Sequence, residues 1–410
     1  VLPQDMSLDT VERIVAHIKG ADPRYDTALY VAPEATLRDV EGIMRKRAHS
    51  MVVVVDPDRR PVGLVTPADL RDRDQYTAVA QLMQREVVTV GVGATNREAF
   101  FVMEKERVKA VPVIDGDGVL AGVITKDDAV RLELFEASVN DAGPLMVAAA
   151  VGISEGAVDR ASLLLDMGVD VLVLDTAHGH QRRMLEVVSQ VSEVAKGRAP
   201  IVAGNVCTAA GTRDLIEAGA DVVKVNVGPG AMCTTRMQTG VGRPTFSSVR
   251  ACAAEAAKHG KHVWADGGVR HPRDVALYSA AGAARVMIGT MLAGTFESPG
   301  DVKTDAEGRN YKRNYGMASA RAVAERTSGL DTFERAKKGF FREGISTSRI
   351  YIQPGRESVG ASLVDMITGL QSALTYVGAR DLASFHERAV VGVQTPSGYG
   401  EGTAHGKVVQ

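Results

Sequence analysis

Two rhythms of apolar and polar positions divide the chain. From about residue 140 onward, short apolar runs alternate with amphipathic segments. The runs at 145–151, 169–175, 200–203, 221–227, 262–266 and 285–289 are rich in Val, Ile, Leu and Ala, without a polar–apolar alternation. Such runs predict strands buried on both faces, as in a parallel sheet. Segments 157–167, 182–196, 212–218, 248–259 and 273–281 carry the three-to-four-residue spacing of helices. Gly168, Gly219 and Gly282 stand just past three of them, where a left-handed residue ends a helix. Six βα units place the chain in the α/β class. With a leading strand–helix fragment at 1–20 they predict a (β/α)8 TIM barrel. In that fragment Ser7 and Asp9 precede an apolar-periodic helix at 11–18, ended by Gly20. Seven barrel strands are counted. The chain does not begin with Met, and the first strand is expected to lie before Val1.

Residues 27–132 break this rhythm with an internal repeat. The first copy has an extended start at Val31, a helix at 38–46, an apolar run at 50–56 and a second run from Pro61 to Asp69. The second copy has its start at Val90, a helix at 97–106, a run at 110–115 and a second run from Leu120 to Asp128. Gly63, Thr66 and Asp69 correspond to Gly122, Thr125 and Asp128. Each helix–strand–strand–helix copy is too small to bury its own core well, so the two are expected to pack as a pair. The repeat resembles a tandem CBS pair, a nucleotide-sensing module. The resemblance implies that Thr66, Asp69, Thr125 and Asp128 hold the ribose and phosphate of ATP or GTP. The same Thr-x-x-Asp pattern also reads as a helix N-cap. The expected division is therefore 1–26, the start of the barrel; 27–132, the tandem module; and 133–410, the remaining barrel with a flap and C-terminal segment.

Composition narrows the function by exclusion. The net charge is −2 over 410 residues, which gives no electrostatic basis for binding nucleic acid or an anionic membrane. Three cysteines far apart in the chain form no disulfide framework and point to a reducing compartment. With no long apolar span and no signal-peptide pattern, the expected location is cytoplasmic.

The chemistry concentrates after the run at 221–227. There the chain breaks into a loop carrying Gly228, Gly230, Gly240 and Gly242 around Cys233, Thr234, Thr235 and Arg236. Glycines let backbone dipoles approach a ligand closely, and a thiol beside a guanidinium has its thiolate favoured. A nucleophile, a hydroxyl and a cation together describe a covalent-catalysis site. In a barrel this loop follows the sixth strand. The Gly-bearing turns at 265–269 and 288–291 follow the seventh and eighth, where phosphate is often bound. All three share one face.

These strings together resemble the IMP dehydrogenase/GMP reductase family: 227–236 with its cysteine, 239–242, 265–268, 286–299, 203–206, 315–319, 343–345 and 369–379. The resemblance covers nearly the whole chain. It implies that Cys233 attacks purine C2, and that Thr235 and Glu343 handle protons. It places Asp266 on the ribose hydroxyls, Gly268, Gly289 and Thr290 around the phosphate, and Tyr315, Gly316 and Met317 beside the base. Asp175, Asn205 and Gly228 fall on the nicotinamide side. A monovalent cation, K+, would sit on the backbone of Gly228, Gly230 and Cys233. Cys207 and Cys252 read as packed structural thiols. The family also implies a homotetramer or octamer.

Two reactions compete. The dehydrogenase oxidises IMP with NAD and hydrolyses the adduct, using an Arg-Tyr pair on a flap. The reductase expels ammonia from GMP and takes hydride from NADPH. The flap region 320–341 holds no Arg-Tyr pair, and the C-terminus lacks the Glu-Ser-His end of many dehydrogenases. The reductase is therefore favoured. Against it stand the CBS-like pair, a dehydrogenase-like loop at 175–180, and Ala231 where a phosphate-binding Ser is usual. Phe340, Phe341 and Arg342 also depart from the residues that usually precede the reductase glutamate. A catalytically retired nucleotide sensor is the third reading; the joint presence of Cys233, Thr235 and Glu343 opposes it.

Overall fold

The computed structural model describes residues 1–316, 319–327, 331–338, 340 and 344–402. The chain opens with Leu2 pairing in parallel with Ala149, followed by α1 (Leu8–Gly20). The first repeat copy contributes β1 (Leu29–Val31), α2 (Leu37–Met44), β2 (Val52–Val55) and β3 (Pro61–Val65). The second contributes β4 (Val90–Gly91), α3 (Asn96–Lys105), β5 (Ala110–Ile114), β6 (Leu120–Thr125) and α4 (Lys126–Leu134). Each copy forms a three-stranded sheet with a parallel first pair and an antiparallel second pair.

The apolar run in β2 has a simple cause. Successive side chains of a strand face opposite ways. Val52 and Val54 pack with Leu37, Val40 and Met44 inside their own copy. Val53 and Val55 join Met51, Leu120 and Val123 in a separate cluster shared by the two copies. The copies thus pack as the pair the sequence predicts. Thr36, Thr95 and Thr125 each close a capping box at the start of a helix.

The second rhythm folds into alternating strands and helices: β7 (Ala148–Val151), α5 (Ala157–Asp166), β8 (Val171–Asp175), α6 (Arg182–Ala195), β9 (Ile201–Val206) and α7 (Ala209–Glu217). The series continues through β10 (Val222–Val225), α8 (Thr235–Thr239), α9 (Thr245–Lys258), β11 (His262–Asp266), α10 (Pro272–Ala280), β12 (Arg285–Met287) and α11 (Thr290–Ala293). The six strands form one parallel sheet in the order β12-β11-β10-β9-β8-β7. Leu172 and Leu174 face the helices in the main core. Val171, Val173 and Val202 face the other way, with Ala148, Val222 and Trp264. Burial on both faces explains the missing alternation. Gly168, Gly219 and Gly282 have φ of +86°, +112° and +102°, as helix-ending residues should. Seven barrel strands are read from the sequence; the structure gives six plus the Leu2 bridge, a parallel sheet of the barrel type.

Beyond α11, a small antiparallel sheet of β13 (Lys303–Thr304), β14 (Asn310–Asn314) and β15 (Ser348–Tyr351) brackets α12 (Ala320–Arg326) and α13 (Thr332–Lys338). Buried Lys312 ties it to the barrel by donating to the carbonyls of Phe296 and Ser298. The chain ends in α14 (Val359–Tyr376), α15 (Leu382–Arg388) and α16 (Pro396–Glu401), with α14 packed on α10. Among the described residues, no helix is long and apolar enough to cross a membrane.

Candidate active site

Because the strands are parallel, β8 to β12 release their loops at one end. A cavity of about 1330 Å³ opens there. Asp175, Asn205, Gly228, Cys233, Thr235, Asp266, Gly289, Thr290, Tyr315 and Gly316 all line it. Residues more than 140 positions apart in sequence converge on one space. Met317 and Glu343 lie outside the described residues. Gly268 faces elsewhere, into a smaller cavity of about 580 Å³ with Pro229 and Arg236; its neighbour Gly267 lines the main one. Gly268 has φ +75°, and a Cβ there would stand 3.1 Å from the Tyr278 hydroxyl and 3.2 Å from Pro229 Cβ. Only glycine suits that turn.

Cys233 is exposed at the head of α8. Its backbone N–H donates to Gly230 O at 3.0 Å, which closes the turn that presents the thiol. Its Sγ donates to Thr235 Oγ1 at 3.2 Å. Thr235 is only 5% exposed. The next strand of contacts fixes the loop from the far side: Gly344 N–H donates to Thr234 Oγ1 at 2.6 Å, and Ile345 N–H to Met232 O at 2.9 Å. Gly316 N–H in turn donates to Ile345 O at 2.9 Å. Arg236 is a correction to the sequence picture. Its side chain packs against Gly228 and Gly242, and its charge acts on Cys207. Helical geometry from residue 235 onward rotates it away from the position adjacent to the thiol that sequence order implies.

Asp266, at the end of β11, is held firmly. Its Oδ2 accepts from Asn205 Nδ2 at 2.8 Å and from Lys224 Nζ. Lys224 also pairs with Asp175 Oδ1 at 2.9 Å. Lys224 is 1% exposed. Burial alone lowers an ammonium pKa, but here the two carboxylates outweigh it and the Lys224 pKa is raised. Burial at the end of β8 raises the Asp175 pKa despite the lysine. Asn226, with φ +144°, donates to Thr245 Oγ1 at 2.7 Å and to Asp266 O at 3.0 Å, bracing the same strand end.

A nicotinamide cofactor fits these residues. Asn205 Oδ1 and Asn226 Oδ1 are buried acceptors that lack a donor among the described residues, and both asparagines line the cavity. A ligand amide would satisfy either. Gly230 O, one of the carbonyls expected to hold a monovalent cation, already accepts the Cys233 N–H. Among the described residues, no group of three or more His, Cys, Asp or Glu is placed to hold a metal.

The model of the IMP dehydrogenase / GMP reductase domain matches residues 1–405. The chain belongs to the IMP dehydrogenase/GMP reductase family. Within it, the chain is similar to a GMP reductase of Mycobacterium tuberculosis (strain ATCC 25618 / H37Rv), at 49% identity over 98% of this chain and 84% of that protein. It is 37% identical to an inosine-5'-monophosphate dehydrogenase of Bacillus subtilis (strain 168), over 99% of this chain and 83% of that protein. Among solved structures it resembles a GMP reductase variant from Trypanosoma brucei in complex with guanosine 5'-monophosphate. That match has a TM-score of 0.65 and 31% identity, over 98% of this chain and 84% of that one. The chain is thus of an oxidoreductase family whose members use nicotinamide cofactors.

Sequence reasoning about this family member missed Lys224 and Asn226. A signal for the first was present: Lys224 is the only charge inside an otherwise apolar run at 222–225. A lysine in a strand buried on both faces needs a partner.

Proposed function

We propose that this chain is a GMP reductase, converting GMP, NADPH and two protons into IMP, NADP and ammonium. The observation that carries the reading is the exposed Cys233 thiol, hydrogen-bonded to Thr235 at the mouth of a cavity that also holds Asp266 and Asp175. The higher identity to a GMP reductase than to a dehydrogenase supports the choice of reaction. So does the absence of an Arg-Tyr pair from residues 320–341.

Cys233 Sγ loses its proton towards Thr235 and bonds to purine C2. The C2 amino group takes up protons and leaves as ammonia, with Thr235 and Glu343 as the proton-handling pair. The reduced nicotinamide supplies hydride to C2 when bound. The C–S bond then breaks, its electron pair returning to Sγ. Asp266 presents Oδ1 to the ribose hydroxyls while Oδ2 stays bound to Lys224 and Asn205. Gly289 and Thr290, at the start of α11, offer backbone N–H groups to the phosphate.

The test is direct. Protein mixed with GMP and NADPH should consume the reduced cofactor and release one ammonia per turnover. NADH formation from IMP and NAD, with no reaction of GMP, would replace this reading by the dehydrogenase; the loop at 175–180 favours that alternative.

Residues 27–132 are a regulatory CBS pair within a closed (β/α)8 barrel made of 1–26 and 133–410. Thr125 Oγ1 donates to Asp128 Oδ2 at 2.6 Å, and Thr66 Oγ1 to Asp69 Oδ2 at 2.8 Å. Both readings of the motif, cap and ligand site, are compatible with this geometry. Asp128 also pairs with Arg131 at 3.0 Å. The Arg131 guanidinium lies against Gly360 of α14, 2.5 Å from where a Cβ would stand. A nucleotide phosphate competing for this arginine would therefore be felt in the barrel. ATP or GTP is expected to change the turnover rate or the oligomer size, and Asp69→Ala or Asp128→Ala to abolish the response. An unchanged response in both variants would remove the pair from regulation.

A further inference from the structure

Lys224 exchanges no proton or bond in the reaction scheme, yet it is a buried charge that lines the cavity. Its position follows from register. Asp175 of β8 stands opposite Gly204 of β9, and Gly204 stands opposite Lys224 of β10. The three residues form one row across three strands. Gly204 has no side chain, and its missing Cβ would lie 2.7 Å from Lys224 Cβ. The lysine stem occupies that gap and crosses β9 to reach Asp175 Oδ1 at 2.9 Å. On its other side Lys224 holds Asp266 Oδ2, on β11. Asn205, also on β9, donates to the same oxygen at 2.8 Å.

One ammonium therefore joins two carboxylates that both line the cavity, from β8 and from β11. An ammonium has three donors on a flexible stem, so both carboxylates are oriented by a single group. Each keeps one oxygen for a ligand. A ligand that fixes Asp266 also fixes the lysine, and the lysine fixes Asp175. The second ligand then meets a carboxylate whose ordering cost has already been met.

We propose that Lys224 is a positioning residue that couples the nucleotide half-site at Asp266 to the dinucleotide half-site at Asp175, so that each ligand strengthens binding of the other. The inference rests on the reductase reading for its choice of ligands. By thermodynamic reciprocity the coupling factor must be equal in both directions, and typical values are roughly 5 to 150.

The measurement is calorimetric binding without turnover. GMP is titrated into the full-length Cys233→Ala protein alone and with saturating NADP, so that neither the C–S bond nor a hydride transfer, which two oxidised ligands exclude, can occur. Its affinity for GMP is expected to rise at least about fivefold with NADP. In the same background, Lys224→Met should lower the factor to one, and Lys224→Arg should partly restore it. Asp175→Asn keeps the Lys224–Asp266 bond but cuts the link at its other end, so it too should lose coupling. It decides the matter if Lys224→Met does not fold. A merely structural role would move melting temperature and both affinities but leave the coupling factor intact. Coupling that survives in either folded variant, or is absent while Lys224 and Asp175 are intact, overturns the proposal. The same titrations with IMP and NADH, another unreactive pair, read the coupling if the enzyme oxidises IMP instead. Failure of the reductase reading is thereby separated from failure of this one.

Discussion

Cys233→Ala is expected to lower turnover by roughly three orders of magnitude or more while the protein folds and binds GMP. The loss is large because the nucleophile makes the bond that the rest of the site only orients. Folding should be spared because the thiol is exposed and, among the described residues, its side-chain hydrogen bond goes to Thr235. A chemical counterpart is available. Cys207 and Cys252 are buried, and burial raises both thiol pKa values, that of Cys252 to about 11. At pH 8 both remain protonated and shielded. Iodoacetamide should therefore label one thiol in the native protein, at Cys233, and inactivate it in proportion. GMP should protect. Turnover that survives in Cys233→Ala would end the covalent mechanism whatever the labelling shows.

The second large effect is expected at a residue that touches no ligand. A Cβ at Gly204 would press on the Lys224 carbonyl oxygen, with Lys224 Cβ at 2.7 Å and the Lys224 carbonyl carbon at 3.0 Å. These are atoms of the adjacent strand and cannot swing aside. On the opposite side Gly179 is equally tight: a Cβ there would lie 2.8 Å from the Gly204 carbonyl carbon. Overpacking of this kind costs about 1–3 kcal/mol. For a chain of this size that lowers Tm by roughly 1–4 °C. Gly204→Ala should also weaken GMP binding, since any relief moves Lys224 and with it Asp266. Gly20→Ala is the control, because nothing lies within 4 Å of its Cβ position and the substitution only removes backbone freedom. A Gly204→Ala protein that melts and binds like the wild type would show that the row across β8, β9 and β10 is looser than the distances imply.

Much of this architecture is legible in the sequence. Continuous apolar runs mark β7 to β12 because both faces of a parallel sheet are buried. Gly168, Gly219 and Gly282 mark helix ends because only glycine enters the left-handed region freely. The cavity is legible for a related reason: parallel strands deliver their following loops to one end, so loop residues can be grouped without coordinates. What stays hidden depends on side-chain direction. Arg236 is three positions from Cys233 but packs on Gly228 and Gly242. Gly267 and Gly268 are adjacent, with φ of +73° and +75°, yet they line different cavities. Lys224 is invisible as a partner of Asp175 because their contact needs the register of three strands and the absence of a side chain at Gly204. The start of the parallel sheet is legible only in part, because Leu2 contributes one bridge rather than a strand.

The division of β2 between two cores bears on what the loss of one copy would expose. Val52 and Val54 belong to the first copy's own core, whereas Val53 and Val55 share a cluster with Leu120 and Val123 of the second. Losing one copy would leave a row of valines bare beside a three-stranded sheet, an adhesive surface rather than a smaller domain. Removal of one copy alone is therefore expected to yield a protein prone to self-association, seen as a larger hydrodynamic size than that of the full chain.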